Sequence, residues 1–163
     1  MKKNTKLLDE MVKKLRKMNG MKVKWGFDAD AEYSDPRGFE KISDVAQLVE
    51  NGHNNGGMFP NTVTPPRPFF KTATEDQENH REMRALIKKL QRDVLRGKIS
   101  PEDKMEQLGE LACKQLRESI LNFGGQLEQS TLDVREYRGV SSDDPLIESG
   151  EMLDAVTFEV YEV

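Results

Sequence analysis

Residues 100–125 read SPEDKMEQLGELACKQLRESILNFGG, and the architecture follows from how this stretch begins, repeats and ends. Ser100 offers a side-chain oxygen to a free helical amide, and Pro101 suits the first helical position. Glu102 and Asp103 then put negative charge in the first turn, where the unpaired N–H groups and the helix dipole favour it. Met105, Leu108, Leu111, Ala112, Leu116, Ile120 and Phe123 recur at helical spacing, and Gly124-Gly125 stops the run. One face is therefore apolar along the whole helix and requires a partner. Upstream, Met83, Leu86, Ile87, Leu90 and Val94 make the same kind of stripe over 75–96. Thr74 and Gln77 are spaced there as a capping box, and Gly97 follows the end.

Outward from this helix pair the period changes. Residues 22–28 alternate, with Val23, Trp25 and Phe27 on one side and Lys22, Lys24 and Gly26 on the other. Residues 156–163 alternate too, with Phe158 and Val160 on one face; both stretches read as half-buried strands. Residues 5–18 carry Leu7, Leu8, Met11, Val12, Leu15 and Met18 at helical spacing with lysines between them. Asn19-Gly20 supplies the stop, since both residues tolerate a left-handed backbone. Short helices are predicted over 44–51, capped by Ser43, and from a Ser149 cap to Ala155. Residues 29–41 contain the turn signal Asp35-Pro36-Arg37-Gly38, and 52–62 contain His53-Asn54-Asn55-Gly56-Gly57. These two stretches and 126–145 read as exposed loops or arms. The first two lack an apolar pattern and are expected to be ordered only by neighbours. The sum is one α+β domain over 1–163: a small mixed or antiparallel sheet packed against two long helices, with an N-terminal helix and extended loops.

Composition limits the function. Hydrophobic residues make up 36% and charged residues 33%, a polar balance that suits exposed helices or a protomer completing its burial in an oligomer. The net charge of −4 weighs against a general nucleic-acid binder. Cys113 is the single cysteine, so no internal disulfide forms, and its place on the apolar stripe suggests an inert buried thiol. No apolar run reaches the roughly 18–20 residues that cross a bilayer. The basic start Met1-Lys2-Lys3-Asn4-Thr5 runs into an amphipathic, charged stretch and not into a signal-peptide core, so synthesis is expected in the cytoplasm.

Chemistry finds little foothold. His53 lies in a glycine-rich loop and His80 on a polar helix face, without further ligands at metal-site spacing. Ser141-Ser142-Asp143-Asp144 holds no base, and Gly124-Gly125 follows a helix, not the strand a phosphate loop requires. No catalytic, cofactor-binding or metal residue is expected. In Pro145-Leu146-Ile147-Glu148-Ser149-Gly150-Glu151-Met152-Leu153 the serine and the acid read as satisfying free amides at a helix start. The most distinctive segment is Thr64-Pro65-Pro66-Arg67-Pro68-Phe69-Phe70. It reads as extended over 61–70, because three prolines forbid a central strand. Neighbours on an extended chain face opposite sides, so one phenylalanine enters the core and the other is left for a neighbouring subunit. Arg67, held between prolines, suits a bidentate pair with a carboxylate. Arg67, Phe69 and Phe70 are thus candidate interface residues; the plain alternative is a stiff edge that delivers the chain to the long helix.

Three segments stand in a telling order: Leu48-Val49-Glu50-Asn51-Gly52, then Pro65-Pro66-Arg67-Pro68-Phe69-Phe70, then Pro145 to Leu153 leading into Thr157-Phe158-Glu159-Val160. Together with Gln107-Leu108-Gly109-Glu110-Leu111-Ala112 between them, they resemble the tail-completion, or virion-morphogenesis, proteins of long-tailed bacteriophages. The resemblance runs from about Met21 to Val163. Asn51 departs from it, standing where an aromatic is common, and 126–142 lacks the proline- and lysine-rich arm often seen. The resemblance implies a non-catalytic virion protein without cofactor that forms a ring, possibly a hexamer, against neck or connector and tail-tube proteins. Genome DNA would pass through such a ring without specific recognition, and no membrane is involved. A tail terminator capping the tail tube is the alternative within the virion. A regulatory binding module free in the host cell and a small phage enzyme are the alternatives from other classes.

Overall fold

Amphipathic helices and alternating strands are stable only where their apolar faces meet, and the computed structural model shows where that happens. It describes residues 2–34, 41–55, 62–124, 127, 132–133, 136–137, 139, 146 and 149–163. The elements are α1 (Lys2–Asn19), β1 (Met21–Phe27), α2 (Ile42–Asn51), β2 (His53–Asn55), β3 (Thr62–Thr64), α3 (Phe69–Glu75), α4 (Gln77–Leu95), α5 (Pro101–Leu121), α6 (Glu151–Asp154) and β4 (Val156–Glu162). The fold is α+β, as expected.

α5 is the axis. Its start closes the full reciprocal cap: the Asp103 amide donates to Ser100 Oγ at 3.0 Å, and the Ser100 amide donates to Asp103 Oδ2 at 2.9 Å. Met105, Leu111, Ala112, Leu116 and Ile120 of its stripe are buried. β1 and β4 pair antiparallel in the register Val23↔Val160, Trp25↔Phe158 and Phe27↔Val156. All the apolar members therefore share one face, and Lys22, Lys24, Glu159 and Tyr161 lie exposed on the other. A two-stranded ribbon is marginal alone; here α5 covers its apolar face. The ribbon approaches so closely that a Cβ at Gly109 would fall 2.2 Å from Cδ2 of Phe158. The core gathers Ile42 and Ala46 of α2, Phe69 and Ala73 of α3, Cys113, Leu116 and Ile120 of α5, and Met152, Ala155 and Val156. α4 packs against α5 through Leu90 and Val94. Among the described residues, no helix is long and apolar enough to cross a membrane.

Several local expectations are corrected. The helix expected over 75–96 is present as α4, but it starts two residues later, at Gln77, because the backbone at Asp76 is extended and separates it from α3. Asp76 Oδ1 accepts from the Asn79 amide at 2.9 Å and caps α4. The Thr74 hydroxyl turns back to the Phe70 and Lys71 carbonyls, so no capping box forms there. The stretch 61–70 is not extended throughout, because helix α3 begins at Phe69. Ser43 is not a cap: α2 starts two residues earlier than expected, with Ile42 buried and Lys41 in the capping position. Gly150, at φ 84°, takes the cap position expected of Ser149, whose hydroxyl bonds Glu151 Oε2 at 2.6 Å. Gly20 is not left-handed; its amide bonds the Arg16 and Lys17 carbonyls, and the chain turns straight into β1. The glycine-rich stretch 52–62 does hold regular structure at both ends, since β2 pairs with β3 through His53↔Thr64 and Asn55↔Thr62. Residues 35–40, 56–61 and most of 126–145 lie outside the described residues. The base of the first loop is closed by the Glu32–Lys41 bridge and the Ile42 amide on the Ala31 carbonyl, at 3.0 Å.

Among the described residues, the contacts of α1 with the body gather toward its C-terminal end. Met18 is buried, Lys14 Nζ donates to the Val94 carbonyl at 3.2 Å, and Lys17 pairs with Glu102. Toward the N-terminus, Leu7 and Leu8 are each 58% exposed and Val12 is 44% exposed.

Candidate functional site

The proline-rich segment is built onto the end of α2. Gly52 closes that helix at φ 70°, and a Cβ there would come within 2.7 Å of the Pro66 nitrogen and 2.8 Å of the Thr64 carbonyl oxygen. Only glycine meets both demands. The Arg67 amide donates to the Val49 carbonyl at 2.9 Å, which holds the segment alongside the helix terminus. Pro68 precedes α3 but has no side chain that accepts a hydrogen bond. Glu50 fills that gap from α2: its two carboxylate oxygens accept from the Phe70 and Lys71 amides, each at 2.9 Å. A carboxylate on the first free amides of a helix also meets the positive end of the dipole.

The two phenylalanines part as adjacent helical residues do. Phe69 is 1% exposed and meets Phe27 edge-on, with centroids 6.1 Å apart. Phe70 is half-buried and stacks on Trp25 at 4.9 Å, with the rings 11° from parallel. Phe69 is therefore the core residue of the pair. Phe70 spends one ring face within its own subunit, and Arg67 is half-buried beside it.

α5 ties this segment to the chain's last strand. Ser119 Oγ donates to the Phe69 carbonyl at 2.6 Å. Two residues earlier, Arg117 Nε donates to the Leu153 carbonyl at 3.2 Å and Nη2 donates to the Val156 carbonyl at 2.5 Å. Nearby, Glu151 Oε1 accepts from the Ser34 amide at 2.9 Å. The Ser149 hydroxyl, followed by Ser34, holds the Glu151 carboxyl below the usual carboxylate range. Segments distant in sequence thus converge on one clasp around α5, in which Glu50 binds the first amides of α3, Arg117 and Ser119 bind the Leu153, Val156 and Phe69 carbonyls, and Gly52 leaves room for Thr64 and Pro66. Residue patterns alone single out none of these four for that task. The usable signal was a helix start after Pro68 with no local cap, which calls for an acceptor from elsewhere.

The remaining candidates are placed as follows. Cys113 is buried, and burial pushes its thiol up although Arg117 pulls the other way. His80 Nε2 lies 2.5 Å from the Thr74 carbonyl, and His53 Nδ1 is buried without a partner among the described residues. No group of three or more His, Cys, Asp or Glu among the described residues is arranged to hold a metal ion. A shallow basic groove of about 650 Å³ runs along α4 between Gln77 and Lys88, with Arg81 and Arg84 in its wall. The chain matches no family model, no curated protein and no solved structure.

Proposed function

We propose that this chain is a non-catalytic structural protein of the phage neck or tail terminus. It acts in tail completion and head–tail joining by forming a ring with copies of itself, against neighbouring neck and tail-tube proteins. The observation that carries this reading is the clasp. Leu48–Gly52, Pro65–Phe70 and the stretch leading into β4, on which the resemblance to tail-completion proteins rests, are the segments joined by Glu50, Gly52, Ser119 and Arg117. The similarity therefore falls on residues that build one mechanical unit, not on scattered surface positions. The half-exposed stripe of α1 adds to it, since a protomer with unused apolar surface is suited to assembly. In this reading the clasp is a rigid frame, and Arg67 and the outer face of Phe70 lie at its subunit contacts.

The test deletes the gene from its phage and complements it. Purified wild-type particles should contain the protein in several copies by quantitative mass spectrometry, and deletion should leave filled heads and finished tails unjoined. A protein absent from purified particles sinks the reading. Tails of uncontrolled length in place of unjoined parts would move the role to the tail terminator, because a missing cap no longer stops tube growth.

A further inference from the structure

β1 and β4 form a sheet of two strands, so each has an outer edge that pairs with no other strand among the described residues. Among those residues, the backbone of 22–26 and of 157–161 makes no hydrogen bond beyond the β1–β4 ladder. The outward amides and carbonyls of such edges can pair with a further strand. The apolar face of the ribbon is also incompletely covered. Val23, Trp25 and Phe27, with Phe158 and Val160 across from them, turn toward α5 but are only half-buried. A strand added at either edge would cover what one helix leaves open.

Charge on the strands themselves indicates which strand that is. β1 holds Lys22 and Lys24 and no acid, and β4 holds Glu159 and Glu162 and no base. Lys22, Lys24 and Glu159 are exposed and in no ion pair among the described residues. Glu162 is engaged within its own chain, where Glu102 first and Glu162 after it hold the Lys17 ammonium above its ordinary range. Two β1 edges side by side bring lysines together, and two β4 edges bring glutamates together. β1 beside β4 is attractive. In the register that already joins these strands within one chain, Lys24 stands opposite Glu159 and Trp25 opposite Phe158. That register keeps the apolar residues of the joining strand on the same face as those of the ribbon it extends.

We propose that β1 of one copy of this chain pairs antiparallel with β4 of a second copy, so that the ribbon runs on as one sheet from subunit to subunit. The two edges are different surfaces, so the contact is head-to-tail, the kind that propagates and closes into a ring. The twist between neighbouring strands turns each subunit relative to the last. This rests on the ring reading above and supplies its subunit contact.

The experiment is sedimentation velocity of the full chain over a wide concentration range at low and high salt, with amide hydrogen exchange read on the same samples. Wild type should associate beyond the dimer, more weakly at high salt. Amides of 21–27 and 156–162 should exchange at least about tenfold more slowly in the associated than in the dilute protein. Lys22→Glu with Lys24→Glu should raise the dissociation constant at least about tenfold, and so should Glu159→Lys. Both changes also set like charges across the ribbon inside each chain, so circular dichroism and thermal unfolding check that each variant folds. An equimolar mixture of the two should associate again. Each reversed strand then faces the other variant's reversed strand, while neither chain's own ribbon is altered by mixing. A wild type that stays monomeric overturns the proposal, as does association that stops at a dimer through like edges. Strand amides left unprotected in the associated protein overturn it too, whether or not a variant folds, and so does a mixture of folded variants that fails to recover. Protected strands in a chain absent from purified particles would keep this contact and sink the ring reading. Rings in particles with both strand edges facing solvent would do the reverse.

Discussion

α5 and the first half of α1 carry the same kind of stripe and meet opposite fates. Leu116 and Ile120 of α5 are fully buried, enclosed by α3, α4 and the β1–β4 ribbon, whereas Leu7 and Leu8 of α1 face solvent. Periodicity states that a helix has an apolar face; it does not state what covers that face. Around α5 the cover is intramolecular and locked by side-chain hydrogen bonds from Arg117 and Ser119. On α1 the cover thins from the buried Met18 through the half-buried Leu15 and Met11, and Leu7, Leu8 and Val12 lie exposed. Damage to the first region should therefore be read in stability, and damage to the second in association.

The largest expected effect is at Phe69. It is almost wholly buried, so Phe69→Ala leaves a cavity between α3, α5 and Phe27 and should cost about 3–5 kcal/mol in chemical denaturation. A loss comparable to that of a surface substitution would mean that the clasp is not part of the core. Next is Gly109→Ala. In an open helix this change stabilises by up to about 1 kcal/mol, but here the new methyl meets the Phe158 ring, which is held by its place in β4. Forcing the ribbon off α5 should cost about 1–3 kcal/mol, and a gain in melting temperature would show that the ribbon packs more loosely than described.

Lys104 should give a smaller effect of the opposite sign. Its ammonium is buried at the α1–α5 contact, 3.7 Å from Met18 Sδ, and burial lowers its pKa from the ordinary 10.5. Between the depressed folded value and 10.5 the unfolded chain binds more protons, so stability rises with pH across that window. Lys104→Met keeps the stem, removes the charge and should raise stability by about 1 kcal/mol while flattening that slope. A variant less stable than wild type at neutral pH would show that the ammonium makes a favourable contact. The smallest effect is Leu8→Asp, within about 0.5 kcal/mol of wild type in thermal unfolding. A larger loss would mean that the first half of α1 packs on its own body, which would erase the contrast between the two regions.

The legible parts of the fold were those set by local period and end signals. The Ser100–Asp103 cap, the α5 stripe and the alternation of Val23, Trp25 and Phe27 against Phe158 and Val160 each carry their own evidence in sequence. Decisions made by distant partners were not legible. The helix begins at Phe69 because Glu50, from another helix, meets its amides. Asp76 and not Thr74 caps α4 because an ionised carboxylate accepts more strongly than a hydroxyl already bonded to its own helix. Gly109 looks like a weak point in a helix until Phe158 is placed on it. Within the candidate site, the burial of one phenylalanine was foreseeable, although the expected reason, an extended chain, is replaced by the start of α3. Which of them turned inward was not, since that depends on where Phe27 and Trp25 stand.

The ring is the central claim, and a density map of the neck of intact particles tests it most directly. The expected result is a closed ring of identical copies at the head–tail junction, with Phe69 inside each protomer. A single isolated copy at the neck, or a junction in which this chain has no place, would contradict it.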